Sequence, residues 1–145
     1  MDDMFGAAEL IIDKEAYEMN TVWKYVKPLE EEEAIKTFLA EKNINLPGTL
    51  ITLLERYNGG RPSDKDFETK SGREYVFKSL LSYNRGDRET IYDVYDALFS
   101  DKTLFPIGSD AAGNIVCYNT VTGRYELYNH ETDSTEEIIN LPFLV

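Results

Sequence analysis

Apolar positions along this chain recur first with helical spacing and later with strand spacing. In "PLEEEEAIKTFLAEKN" (28–43), Ala34, Ile35, Phe38 and Leu39 fall on one helical face. Pro28 suits a first helical position, and Glu30, Glu31, Glu32 and Glu33 then lie at the positive end of the helix dipole. A solvated first turn accounts for the four glutamates without a contact surface. "LPGTLITLLERYNGG" (46–60) predicts a second helix with a broad stripe of Leu50, Ile51, Leu53, Leu54 and Tyr57. Asn58, Gly59 and Gly60 stop it, because glycine accepts the left-handed conformation that helix ends need, and Pro62 forbids continuation. Upstream, residues 8–20 read as a short helix with Leu10 and Ile11 on its apolar face, and "TVWKYV" (21–26) as a short strand or extended lead-in.

The period changes at residue 66. "DFETKSGREYVF" (66–77) reads as two strands around Ser71-Gly72, with Phe67 and Thr69 on one face and Tyr75 and Phe77 sharing another. "SLLSYN" (79–84) extends the apolar run. Asp87 is placed to cap a third helix, "RETIYDVYDALF" (88–99), whose Ile91, Val94, Tyr95 and Leu98 have helical spacing. Four short strand-like runs follow: "TLFPIG", "NIVCYN", "RYELYN" and "EEIINL". Helices early and strands late predict an α+β domain with a mostly antiparallel sheet, the helices at 30–42 and 48–57 packed on it. Its core is expected to hold Phe38, Leu39, Leu50, Leu53, Leu54, Phe77, Ile107, Ile115, Cys117 and Leu127. A length of 145 residues suits one domain, with residues 1–22 reading as an N-terminal extension.

Charge narrows the choice of partner. The chain carries 27 acidic and 15 basic residues, a formal net charge of −12. Residues 1–72 hold 15 acids and 9 bases and the remainder 12 and 6, so each half carries −6 and the excess is no acidic tail. Such a field repels nucleic acid and anionic lipid and favours basic partners, although acidity also serves solubility. With a single cysteine, Cys117, the chain forms no internal disulfide and no thiolate zinc site. The acidic N-terminus lacks a basic segment followed by a long apolar run, and the chain reads as cytoplasmic.

Little in the sequence promises catalysis. "FPIGSDAAGNIVCYNT" (105–120) spaces Gly108 and Gly113 as a phosphate loop does, but Asn114 and Ile115 stand where lysine and a hydroxyl are required. Only Asp110 and Asn114 could serve a calcium loop. The simpler reading is a turn: Gly108 ends one strand, Asp110 bonds locally to backbone, and Gly113-Asn114 opens the next strand. His130, the only histidine, could pair with Cys117, yet Cys117 sits in an alternating run where a small buried side chain is expected.

Four pieces in fixed order carry a resemblance. "LP" (46–47), "NGGRP" (58–62), "LLSYN" (80–84) and "FPIGSDAAGNIVCYNT…YELYNHE" (105–131) resemble the SUKH superfamily, shared by a eukaryotic cell-wall-assembly regulator and many bacterial immunity proteins. The resemblance implies an α+β domain without catalytic activity or cofactor, in which Gly108, Asp110, Gly113, Asn114, His130 and Glu131 fill family positions with no catalytic role. It implies binding and neutralising a cognate polymorphic toxin, often a nuclease; the alternative is a general adaptor or scaffold. The chain departs from the family in ending at "INLPFLV", where Pro142 blocks the usual last helix, and in having Tyr128 and Asn129 where Trp is common. Combining the implied role with the charge, the expected partner is a basic nuclease toxin met by an acidic face. Loop position and charge single out Asp64, Asp66, Glu68, Asp110, Glu131 and Asp133 for that face, with Tyr128 as aromatic anchor.

Overall fold

A computed structural model describes residues 21–98 and 103–144. In chain order these form β1 (Trp23–Lys24), α1 (Ala34–Lys42), α2 (Gly48–Arg56), β2 (Arg61–Pro62), β3 (Asp66–Thr69), β4 (Glu74–Leu80), α3 (Ile91–Leu98), β5 (Leu104–Asp110), β6 (Ile115–Asn119), β7 (Tyr125–Asn129) and β8 (Ser134–Asn140). The fold is α+β, as the periodicity predicts. The sheet does more than lie flat: β3 to β8 close into an antiparallel barrel, with β1 and β2 as a separate two-stranded ribbon. The helix expected at residues 8–20 lies outside the described residues.

Closure depends on irregularities in the ladders. Register shifts occur between Phe77 and Ser79, between Pro106 and Gly108, and between Glu68 and Thr69 where β3 meets β8. Such bulges bend a strand and increase its twist, which a short barrel requires. At one of them the sequence reading is corrected. Gly108 does not end a strand; it lies inside β5. A Cβ there would stand 2.5 Å from the Phe77 ring and 2.7 Å from the Ser79 carbonyl oxygen. The close approach of β5 to β4 therefore excludes any side chain at 108.

Two aromatic groups fasten the helices and the ends of the chain to the barrel. Phe38 of α1 meets the rings of Tyr83, Tyr92, Tyr95 and Phe105 edge-on, at centroid distances of 5.9, 5.7, 5.4 and 6.2 Å. One α1 residue thus contacts α3, β5 and the strand-like run after β4. On the other side Trp23 stacks on Tyr57 at 4.6 Å, and Phe143 lies between Trp23 and Phe77. The "INLPFLV" terminus thereby places Phe143 in the core, at 4% exposure. The expected core residues are buried except Leu53, which packs at its margin. Phe67 and Tyr75 occupy facing positions and stack at 5.7 Å, rather than taking separate faces.

Polar side chains correct two helix boundaries. α1 begins at Ala34, so Pro28 and the four glutamates precede it. The cause is Asn84, whose Nδ2 donates to the Pro28 carbonyl (2.9 Å) while its Oδ1 accepts from the Glu30 N–H (2.9 Å). That clamp commits residues 28–30 to another element and delays the first turn. α3 begins at Ile91, and its cap is Thr90, whose Oγ1 accepts from the Asp93 N–H. Asp87 instead accepts from the Ser82 hydroxyl at 2.7 Å. α2 spans Gly48–Arg56, one residue short of the expected 48–57, with Pro47 at its N-cap position.

Asn58 joins these pieces. It is 1% exposed. Its Nδ2 donates to the Lys27 carbonyl (2.8 Å) and to Ser82 Oγ (3.1 Å), and its Oδ1 accepts from the Tyr83 N–H (2.8 Å). Its own carbonyl accepts from the Lys27 N–H. The two glycines behind it serve different needs. Gly59 takes φ +68°, whereas a Cβ on Gly60 would press on the Tyr57 carbonyl at 2.9 Å and on Val26 and Trp23.

The barrel seam carries its own latch. Glu136 of β8 accepts hydrogen bonds from Ser71 and Thr69, and from Tyr75 at 3.0 Å. Those bonds, led by Ser71, hold its carboxyl below the ordinary value of 4.5 against the opposing effect of burial. Glu137 is also held low, chiefly by Lys70.

Two outcomes follow for stability. Asn58→Ala strands the Tyr83 N–H and the Lys27 carbonyl and is expected to cost about 2–4 kcal/mol in urea unfolding followed by Trp23 fluorescence; a loss below about 0.5 kcal/mol would contradict its role. A carboxyl whose folded value is depressed contributes stability that is whole above its unfolded value and is lost as pH falls. The urea midpoint should therefore hold above about pH 5 and fall toward pH 3, and Glu136→Gln should flatten that fall while lowering the plateau. An unchanged acid slope in Glu136→Gln would remove the latch.

Candidate functional site

Three hairpin turns gather at one end of the barrel. Antiparallel pairing of successive strands brings together the β3–β4 turn, the β5–β6 turn and the β7–β8 turn. The last two are neighbours: a Cβ on Gly113 would lie 3.5 Å from His130.

The β5–β6 turn is built around Asp110. One carboxylate oxygen accepts from the Ala112 N–H (2.9 Å) and the Asn114 N–H (2.7 Å), and the other from Asn114 Nδ2 (3.0 Å). Gly113 takes φ +90°. This is the turn chemistry expected from the sequence, but it removes Asp110 from any contact face. The residue is 2% exposed, and its oxygens already have their donors.

The other candidates separate into three places. At the β7–β8 turn, Tyr128 donates its hydroxyl to Asp133 at 2.7 Å, and that bond pushes the phenol's pKa up. Asp133 takes φ +54°, and Glu131 is exposed beside it. On the barrel wall, Asp66 and Glu68 share one face of β3, two residues apart. The third place is Asp64, which accepts from the Thr21 hydroxyl at 2.7 Å and stitches the segment before β1 to the segment before β3. The structure therefore brings Tyr128, Glu131 and Asp133 together at a turn and Asp66 and Glu68 together on a strand, but not the two sets with each other.

Sequence reasoning passed over two features of the wall. Glu74 stands directly opposite Glu68, and with Asp66 these carboxylates line an open groove of about 530 Å³. A second groove of about 440 Å³ lies beyond Val76 and is cationic, with Lys24, Arg61, Lys65 and Lys78 in its lining. The hairpin register around Ser71-Gly72 was the signal for Glu74. No periodicity links residues 24, 61, 65 and 78.

Cys117 is fully buried, its thiol directed at the Ile115 carbonyl, and burial followed by the Glu126 charge pushes its pKa up. A thiol kept neutral is a poor nucleophile. His130 is exposed on the β7–β8 turn. Among the described residues no cluster of three or more His, Cys, Asp or Glu side chains could hold a metal ion, and no helix is long and apolar enough to cross a membrane.

Comparison with known proteins gives one finding. A family model described as SMI1-KNR4 cell-wall, designated SUKH_6, matches residues 32–140, well over half of the chain. No curated protein and no solved structure matches it.

Asp110→Ala is expected to cost about 2–4 kcal/mol, above the ~0.5–2 kcal/mol of an ordinary cap, because the two Asn114 donors are left buried without a partner and the Ala112 N–H loses its own. Gly113→Ala should cost about 1–2 kcal/mol from its left-handed backbone. Glu131→Gln, at an exposed position, should change the unfolding midpoint little. Equal effects of all three in thermal or urea unfolding would refute the assignment of Asp110 to the turn.

Proposed function

The chain belongs to the SUKH superfamily, and we propose that it is a non-catalytic immunity protein that binds and neutralises a basic, nuclease-type toxin. The observation that carries this reading is the barrel end where Tyr128 is tied to Asp133 beside Glu131. A ring fixed in place by an acid loses little freedom on binding, and acids around it attract a positively charged surface. A nuclease presents such a surface because it must hold phosphates. The net charge of −12 extends the attraction and speeds encounter. The buried, neutral Cys117 thiol is a poor nucleophile, which supports a role in binding. An adaptor role is the second reading, favoured by the cell-wall description of the matching family model.

The test is co-expression with the product of the adjacent reading frame. Immunity predicts co-purification with a basic protein and relief of its toxicity. Raising salt should slow association markedly and alter dissociation less, and Glu131→Lys with Asp133→Lys should slow association further. An acidic partner, or association indifferent to salt, would end the electrostatic mechanism; co-purification without any toxicity to relieve would favour the adaptor.

A further inference from the structure

The outer wall formed by β3, β4 and the β1–β2 ribbon carries its charges in a definite order. Along β4 the residues Glu74, Val76 and Lys78 alternate onto one face, giving acid, apolar and base in sequence. The acidic end is thickened by Asp66 and Glu68, and the basic end by Lys24, Arg61 and Lys65. Among the described residues no carboxylate pairs with Lys24, Arg61 or Lys65, although acids outnumber bases 27 to 15 in the chain. Lys78 forms an ion pair with Glu89, whose carboxylate also feels the Arg61 charge.

Two like-charge pairs lie on this same wall. Lys24 is the register partner of Arg61, and Glu68 is the register partner of Glu74. Like charges directly opposite on neighbouring strands are unfavourable. Exposed apolar surface also concentrates here: Val22, Tyr25 and Val76 are 56%, 68% and 41% exposed and line the cationic groove. Tyr25 is held outward by a left-handed backbone, φ +59°, with the Arg61 guanidinium 5.5 Å from its ring centre.

We infer that this wall is an interface between two copies of the chain, related by a twofold axis passing near Val76. A partner of one sign would be repelled by half of the wall. The complementary order is base, apolar, acid, and the same wall turned through 180° presents it. A twofold contact is self-complementary by construction, so one patch supplies both halves. Glu68 and Glu74 of one copy then face Arg61 and Lys65 of the other, and Val76 meets Val76. Each like-charge pair then faces residues of the opposite sign. The interface leaves Tyr128, Glu131 and Asp133 to the barrel-end surface, so self-association and toxin binding are separable.

Sedimentation equilibrium of the full chain tests this. The expected result is a reversible shift from 16.6 kDa toward twice that mass with concentration, weakened by salt. Arg61→Glu and Glu74→Arg, each with a native circular dichroism spectrum, should weaken the dimer roughly tenfold or more, and the double charge swap should restore it. Val76→Asp places two acids at the axis and should dissociate the dimer even if Arg61→Glu disturbs the ribbon. Glu131→Lys should leave the mass unchanged. A wild-type chain that stays at 16.6 kDa at every concentration, a dimer indifferent to Val76→Asp, or a charge swap that fails to restore association would overturn the inference.

Discussion

The carboxamide of Asn58 sits among three hydrogen-bond partners drawn from two distant stretches of chain. Lys27 comes from the lead-in to the first helix, Ser82 from the end of the run after β4, and Tyr83 from the residue beside it. Ser82 passes the connection to Asp87 and to the Asn84 N–H, and Asn84 returns it to Pro28 and Glu30. In a buried site such a network is favourable only when complete, since each orphaned group costs about 1–3 kcal/mol. Phe38 meets the ring of Tyr83, whose backbone N–H this network holds. Helix packing, the start of α3 and the entry into the barrel therefore depend on one amide.

The acids of the chain do two kinds of work. Asp110, Glu136 and Asp87 are consumed internally, closing a turn, latching a seam and ending a polar chain. Glu131 and the Asp66, Glu68 and Glu74 set form no ion pair among the described residues. Net charge alone does not distinguish the two groups. Burial does: Asp110 at 2% exposure cannot be reached, whatever its charge.

The sequence made some of this legible. The apolar spacing of Phe38 and Leu39, of Leu50 and Leu54, and the alternation in "NIVCYN" gave the elements and most of the core, because burial demands a period. The Asp110 turn was readable because its bonds span only four residues. What was hidden spans longer distances. Asn58 looked like a helix stop because its partners lie 24 to 31 residues away. Asp87 looked like a cap because a nearer hydroxyl, Thr90, was overlooked. The glutamates at 30–33 looked helical because nothing local shows that Asn84 holds the backbone. The barrel itself was invisible, since closure depends on bulges and on a β3–β8 pairing that no local pattern announces. For the site, residue type and loop position found the acids but grouped a buried one with exposed ones, and missed the cationic groove entirely.

Closure of the barrel has a consequence for how relatives of this chain could diverge. Strands β3 to β8 spend their backbone amides and carbonyls on one another around the ring. A visitor to the barrel, as distinct from the β1–β2 ribbon, finds no free strand to extend and must read side chains. The vocabulary of recognition is thereby detached from the grammar of folding. Residues such as Glu131 or Arg61 can be rewritten without touching Asn58, Gly108 or Phe77, so one scaffold can be turned toward many partners while its interior is left as it stands.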